Sequence, residues 1–226
     1  MPDRIAFLQH SVSDVPGILA DLAVERGLEV TVHRPDHGDA GLPASGSFDL
    51  LVVMGSIESV YDTSVPWIAP ERALVARAVD DGVPVLGVCF GGQLLAEVLG
   101  GSVAPASRTE IGWAEVRTED PSTVPPGPWL NWHDDAFTCP PDSVLVAISD
   151  VSPQAFVAGV HTGVQFHPEV TGTVVHAWID DARDRDGVSD EDVDRLLSGF
   201  DAAGRGPADP PRILFDGFLT RAGVRI

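Results

Sequence analysis

Apolar residues along this chain fall into short unbroken runs that alternate with stretches of helical spacing. Residues 4–9, RIAFLQ, form the first run, and polar Ser11, Ser13 and Asp14 lead from it to Pro16, which the first turn of a helix tolerates. A helix is predicted over residues 17–27, with Ile18, Leu19, Leu22 and Val24 as its apolar face and Gly27 as its stop. Residues 28–33, LEVTVH, alternate as a strand does. After a loop rich in Gly, Pro and Asp over 35–47, FDLLVVMG (48–55) is the continuous apolar run expected of a strand buried on both faces. A helix is predicted from Ile68 to Asp81. Residues 83–101, VPVLGVCFGGQLLAEVLGG, read as a second buried strand running straight into a helix. Strands and helices in this alternation predict a parallel sheet with right-handed crossovers.

From Ser102 to Val170 the pattern changes to alternating runs separated by Pro and Gly clusters, which predicts hairpins and edge strands, an antiparallel extension of the sheet. Helical spacing returns after Val170. Asp180 to Asp194 reads as a solvated, strongly acidic stretch, residues 202–212 as a loop and 213–223 as a last short helix. The expectation is one α/β domain over residues 1–226.

Charge narrows the partners. The chain has 34 acidic and 14 basic residues, a formal net charge of -20, which repels nucleic-acid phosphates and anionic lipid surfaces alike. Its first residues, MPDRIAFLQHSV, lack the basic and apolar regions of a secretion signal, and no apolar run approaches the roughly 20 residues that a membrane helix requires. A cytoplasmic location is expected. The two cysteines, Cys89 and Cys139, lie in unrelated contexts and give no disulfide framework. The scattered histidines form neither an HxxxH pair nor a cluster with cysteine, and no phosphate-binding glycine loop is present, so no metal and no cofactor is expected.

The segment GVCFGGQ, residues 87–93, places Cys89 at the tip of a buried strand with glycines on both sides. Small neighbours are what a sharp strand-to-helix turn needs if a substrate carbonyl is to approach the nucleophile closely. The first amides of the following helix would point at the sulfur and favour thiolate over thiol. In GVQFHPEV, residues 163–170, His167 and Glu169 are two positions apart across Pro168, so an extended backbone puts them on one face. A carboxylate held against one imidazole nitrogen leaves the other to take the thiol proton.

Together these two segments resemble the class I, or triad, glutamine amidotransferases, in which a G-x-C-x-G-x-Q elbow is followed much later by H-P-E. The resemblance spans roughly residues 48–170 and is closest to stand-alone relatives of the GMP synthase amidotransferase domain. It implies a flavodoxin-like three-layer sandwich, hydrolysis of the glutamine side-chain amide through a thioester, and the roles of nucleophile, base and orienting group for Cys89, His167 and Glu169. It also implies oxyanion-hole amides from Gly55 and Phe90, although the family turn reads Gly-Gly-Pro where this chain has Met54-Gly55-Ser56. Gln93 matches the glutamine that closes the elbow and helps hold substrate. His133 and Asp135, in LNWHDDAF, match a W-H-x-D stretch at the mouth of the site. The family pairs such domains with a synthetase, so either a separate synthetase or acceptor subunit would take the ammonia or free ammonia would be the product. Two other readings stay open: a γ-glutamyl peptide hydrolase using the same triad, and a non-catalytic module on the same fold.

Overall fold

The computed structural model describes residues 3–38, 41–185, 188–201, 206 and 209–225. In chain order its elements are β1 (Arg4–Leu8), α1 (Gly17–Glu25), β2 (Glu29–His33), a 3-10 turn at Pro35–His37, β3 (Leu50–Val53), α2 (Ile68–Asp80), β4 (Val85–Val88), α3 (Phe90–Val98), β5 (Val103–Thr118), β6 (Gly127–Phe137), β7 (Val144–Ile148), β8 (Pro153–Ala158), β9 (His161–Val164), α4 (Gly172–Arg185), α5 (Asp190–Leu197) and α6 (Asp209–Arg221). They form a nine-stranded sheet in the order β2-β1-β3-β4-β9-β8-β7-β5-β6. The first five strands of that order are parallel and the remaining pairings antiparallel. With β9 as the fifth parallel strand, the order is that of the flavodoxin-like α/β sandwich.

The continuous apolar runs are explained by the two faces of the sheet. Ile5, Phe7, Leu50, Val52, Leu86 and Val88 point to one side, against Leu19 and Leu22 of α1 and Leu214, Phe215 and Phe218 of α6. Their alternating neighbours Ala6, Leu8, Leu51, Val53 and Val85 point to the other, against Leu74 and Val75 of α2 and Leu94 and Leu95 of α3. Strands covered on both faces have no polar side to show. A third cluster, Leu130, Val170, Val174, Val175, Ile179 and Leu196, packs α4 and α5 over β6.

Several expectations are corrected. Within the region expected to be antiparallel, residues 161–164 pair antiparallel with β8 on one side only: on the other, β9 inserts beside β4 in parallel, with Leu86 opposite Thr162 and Val88 opposite Val164. The apolar face of α1 is made by Leu19, Leu22 and Ala23, while Val24 is 64% exposed. Steps of three and four residues keep a helical face, and Val24 falls a further 100° or so around the helix. The acidic stretch is not simply solvated, because it contributes the end of α4 and most of α5, whose Leu196 is fully buried. The last helix starts at Asp209, four residues before Ile213, because Pro210 and Pro211 fall in its first turn, where no backbone N–H is needed. The rest of the loop expected over 202–212, except Gly206, lies outside the described residues.

Candidate active site

The carboxyl ends of β4 and β9 lie side by side, and the segments leaving them carry the three residues expected to act together. Cys89 follows β4 directly and caps α3 with φ 50 and ψ -109, one of only two non-glycine residues at positive φ among those described. The turn is possible because α3 starts pressed against neighbouring backbone. A Cβ on Gly91 would lie 2.0 Å from the Val53 carbonyl oxygen, and one on Gly92 would lie 2.4 Å from that of Val164. Two further bonds fasten the elbow: the Cys89 amide donates to the Val164 carbonyl at 2.8 Å and the Gly91 amide to the Met54 carbonyl at 3.1 Å.

Beyond β9, residues 165–170 are not strand, yet the expected pair forms. His167 Nδ1 lies 2.8 Å from Glu169 Oε1, with both side chains almost wholly buried. Nδ1 therefore carries the proton that the carboxylate accepts, and Nε2 is left for the thiol. Burial works against a charged His167, but the Glu169 and Cys89 charges and hydrogen bonds overcome it and hold the imidazole well above its ordinary range. The loop is anchored from behind. The His167 amide donates to Leu130 at 2.8 Å, and the Ile18 amide in the first turn of α1 donates to the Glu169 carbonyl at 3.0 Å. Gly17 permits that contact, since a Cβ there would sit 2.1 Å from the same oxygen.

These groups open onto a cavity of about 480 Å³. Cys89, His167, Gly55, Gln93, His133 and Asp135 all line it, so the structure brings most of the expected residues together; Glu169 stands behind His167 and Phe90 is fully buried beneath. Several of them are already committed to protein partners. The Gln93 side-chain amide donates to the Asp135 carbonyl at 3.0 Å. His133 Nδ1 donates to that same carbonyl at 2.9 Å, and its Nε2 faces Glu110 at 3.1 Å. The Asp135 carboxylate accepts from Ser59 at 2.5 Å and Tyr61 at 2.8 Å, which ties the loop after β3 to β6. Among the described residues, no hydrogen bond is made by the amides of Gly55, Ser56 or Phe90.

Sequence reasoning missed part of the wall. Ser11, Ser13 and Asp14, in the loop after β1, line the cavity; position alone could have flagged them, because ligands in such sheets bind outside the carboxyl ends of the strands. Burial raises the Asp14 carboxyl above its ordinary range. Trp178, Asp181 and Asp192 complete the wall from α4 and α5. The Trp178 ring meets His167 edge-on at 4.8 Å and its Nε1 donates to the Ser13 carbonyl at 3.0 Å, while Ser13 Oγ donates to Asp181 at 2.5 Å. Gln165, two residues before His167 and so legible by the same period-two argument, reaches the Cys89 sulfur at 3.7 Å. Under the loop after β3, His10 Nδ1 lies 2.7 Å from the Gly55 carbonyl and Nε2 lies 3.0 Å from both oxygens of Glu71. Burial disfavours charge on His10, but Glu71 outweighs it and raises the imidazole above its ordinary value.

Comparison with known proteins identifies the family. The pattern of the family Glutamine amidotransferase class-I matches residues 13–182. The chain is similar to the GMP synthase [glutamine-hydrolyzing] of Vibrio parahaemolyticus, 38% identical over 134 residues that make up 55% of this chain and 25% of that protein. The corresponding protein of Tolumonas auensis is 38% identical over 143 residues, 56% of this chain and 26% of its own. The aligned part thus amounts to about a quarter of these relatives. Among solved structures, a glutamine amido transferase from Methylobacillus flagellatus superposes with a TM-score of 0.83 at 26% identity, covering 98% of this chain and 96% of that one. A glutamine amidotransferase from Thermotoga maritima gives 0.79 at 24% identity, with the same coverage, and speaks for the fold.

Proposed function

This chain belongs to the class I glutamine amidotransferase family, and on that premise we propose that it hydrolyses the side-chain amide of glutamine through a thioester on Cys89 and releases ammonia for transfer to an acceptor. The observation that carries the reading is the Cys89, His167 and Glu169 arrangement, with the 2.8 Å imidazole–carboxylate bond directed so that Nε2 serves the sulfur.

His167 takes the Cys89 proton, and the thiolate attacks the γ-carbonyl carbon. The oxyanion is stabilised by amides of the Gly55 turn and of Phe90, the uncommitted donors beside the elbow. His167 then protonates the departing nitrogen as the carbon–nitrogen bond breaks, and ammonia leaves. Water, deprotonated by His167, cleaves the thioester to glutamate, and the proton returns to the sulfur. Gln93, His133 and Asp135 shape the pocket that holds the amino-acid end of the substrate.

A γ-glutamyl peptide hydrolase is the second reading. It is favoured by the size of the cavity, about 480 Å³, whose lining includes Asp181, Val188 and Asp192 as well as Cys89. Glutamate release from glutamine and from a panel of γ-glutamyl dipeptides, compared between the wild type and Cys89→Ala, separates the two. Cys89-dependent release from glutamine is expected; release from dipeptides alone would replace the first reading by the second, and silence on all of them would leave the non-catalytic module.

A further inference from the structure

We propose that His10 and Glu71 are positioning residues that latch the Gly55–Ser56 peptide in the orientation that presents the Ser56 amide to the oxyanion; the inference rests on the amide-hydrolysis reading above. A carbonyl oxygen can only accept, so the 2.7 Å contact between His10 and the Gly55 carbonyl fixes the proton on Nδ1 whatever the charge of the ring. Nε2 is centred between the two oxygens of Glu71, 3.0 Å from each, which prevents the ring from turning. Aromatic neighbours complete the clamp: the imidazole stacks on Trp67 at 4.8 Å and 18°, and meets Phe90 edge-on at 5.0 Å. Glu71 is itself in the first turn of α2, fully buried, where the amino end of the helix favours a carboxylate.

The consequence follows from peptide geometry. A trans peptide is planar, with its carbonyl and its N–H pointing in opposite directions. His10 is buried and does not line the cavity, whereas Gly55 and Ser56 do. Drawing the Gly55 carbonyl down onto His10 therefore turns the Ser56 N–H up, towards the cavity. The same ring touches Phe90, so one buried imidazole supports both oxyanion donors. This gives Met54-Gly55-Ser56 a means of holding its conformation without a second glycine and a proline.

The test uses side chains that mimic one ring nitrogen at a time in the full chain. Asn at position 10 places an amide nitrogen where Nδ1 was, Gln places one near Nε2, and Leu removes both. For glutamine hydrolysis, or for whichever γ-glutamyl substrate the wild type turns over, kcat should follow wild type, then His10→Asn, then His10→Gln and His10→Leu. Loss of one oxyanion donor costs about 10²–10³ in kcat, so a released peptide that still samples the right orientation should lose about ten- to a hundredfold, with KM little changed. Glu71→Gln, which can still accept from Nε2–H, should lose far less. Independently of turnover, the carbonyl carbon chemical shift of Gly55 should move in His10→Gln and His10→Leu and stay in His10→Asn. Equal kcat in the Asn and Gln variants with an unmoved Gly55 shift would overturn the latch. A wild type inert towards every γ-glutamyl compound would defeat the hydrolytic reading, while the carbonyl shift would still decide whether the latch exists. If His10→Leu does not fold, the Asn and Gln pair carries the comparison.

Discussion

Replacing Glu169 with Gln changes a single atom in shape and removes a charge that raises the His167 imidazole above its ordinary range. At the 2.8 Å contact between Nδ1 and Oε1, the attraction between an imidazolium and a carboxylate with charge centres ~4 Å apart is ~4 kcal/mol at an effective dielectric of ~20. The Gln carbonyl can still accept from Nδ1–H, a neutral hydrogen bond contributing about 1 kcal/mol. The difference, ~3 kcal/mol, is a loss of about a hundredfold in kcat if the imidazolium form is needed at the barrier. The structure adds a second cost. Glu169 Oε2 is buried without a hydrogen-bond partner, so the Gln nitrogen that takes its place is an orphaned donor, costing about 1–3 kcal/mol of stability. The assay is glutamate release under saturating and subsaturating glutamine, with urea unfolding alongside. KM should change little, because Glu169 stands behind His167 and does not line the cavity. A Glu169→Gln enzyme with kcat within about threefold of wild type would refute the orienting role.

Three further outcomes follow from the same geometry. Gly91→Ala should destabilise by about 3 kcal/mol or more, because the new Cβ meets a carbonyl oxygen of β3 and not a side chain that can move; a urea midpoint equal to wild type would contradict that close approach. Cys89→Gly and Cys89→Ala should both be inactive, but the glycine variant should be more stable by about 1 kcal/mol, since positive φ costs a non-glycine residue about 1–3 kcal/mol and glycine returns part of that as chain entropy; thermal unfolding of the pair is the measurement. Asp14→Asn should stabilise the protein at neutral pH. Burial raises this carboxyl in the folded state, so its ionised form is penalised above the folded value, and the penalty vanishes once both folded and unfolded chains are protonated. Denaturant titrations should therefore show a gain at pH 7 that disappears on acidification below the ordinary aspartate range; a gain independent of pH would assign the effect to something other than the charge.

The parallel half of the fold was legible because strands covered on both faces leave a signal with no competing period, as in LLVV of β3 and VLGV of β4. The elbow was legible for a related reason: glycines at 87, 91 and 92 beside a cysteine have no use in an ordinary helix start. β9 was hidden, because HTGV is four residues long and follows β8 through a tight turn, so its local pairing is antiparallel while its partner on the other side is β4. The cavity wall from α4 and α5 was hidden by chemistry. Aspartates such as Asp181 and Asp192 read as solvent-facing, and only tertiary packing of Val174, Ile179 and Leu196 turns their helices over the site. His10 and Glu71 are 61 residues apart and share no motif, so their pairing had no sequence signature.

The neighbouring positions of β4 and β9 bear on how the molecule comes into being. The sulfur of Cys89 and the side chain of Gln165, which touch across these strands, are separated by 76 residues of chain, and the whole antiparallel region lies between them. During synthesis β4 emerges with a wholly apolar, unpaired flank and stays an open edge, the kind that recruits other chains, until β9 is made and slots in. Cys89 and His167, the proposed nucleophile and base, can meet only through that same docking. If the proposed triad is the catalytic one, turnover can begin only after that docking, and its onset would report the closure of a strand pairing that spans 76 positions of chain.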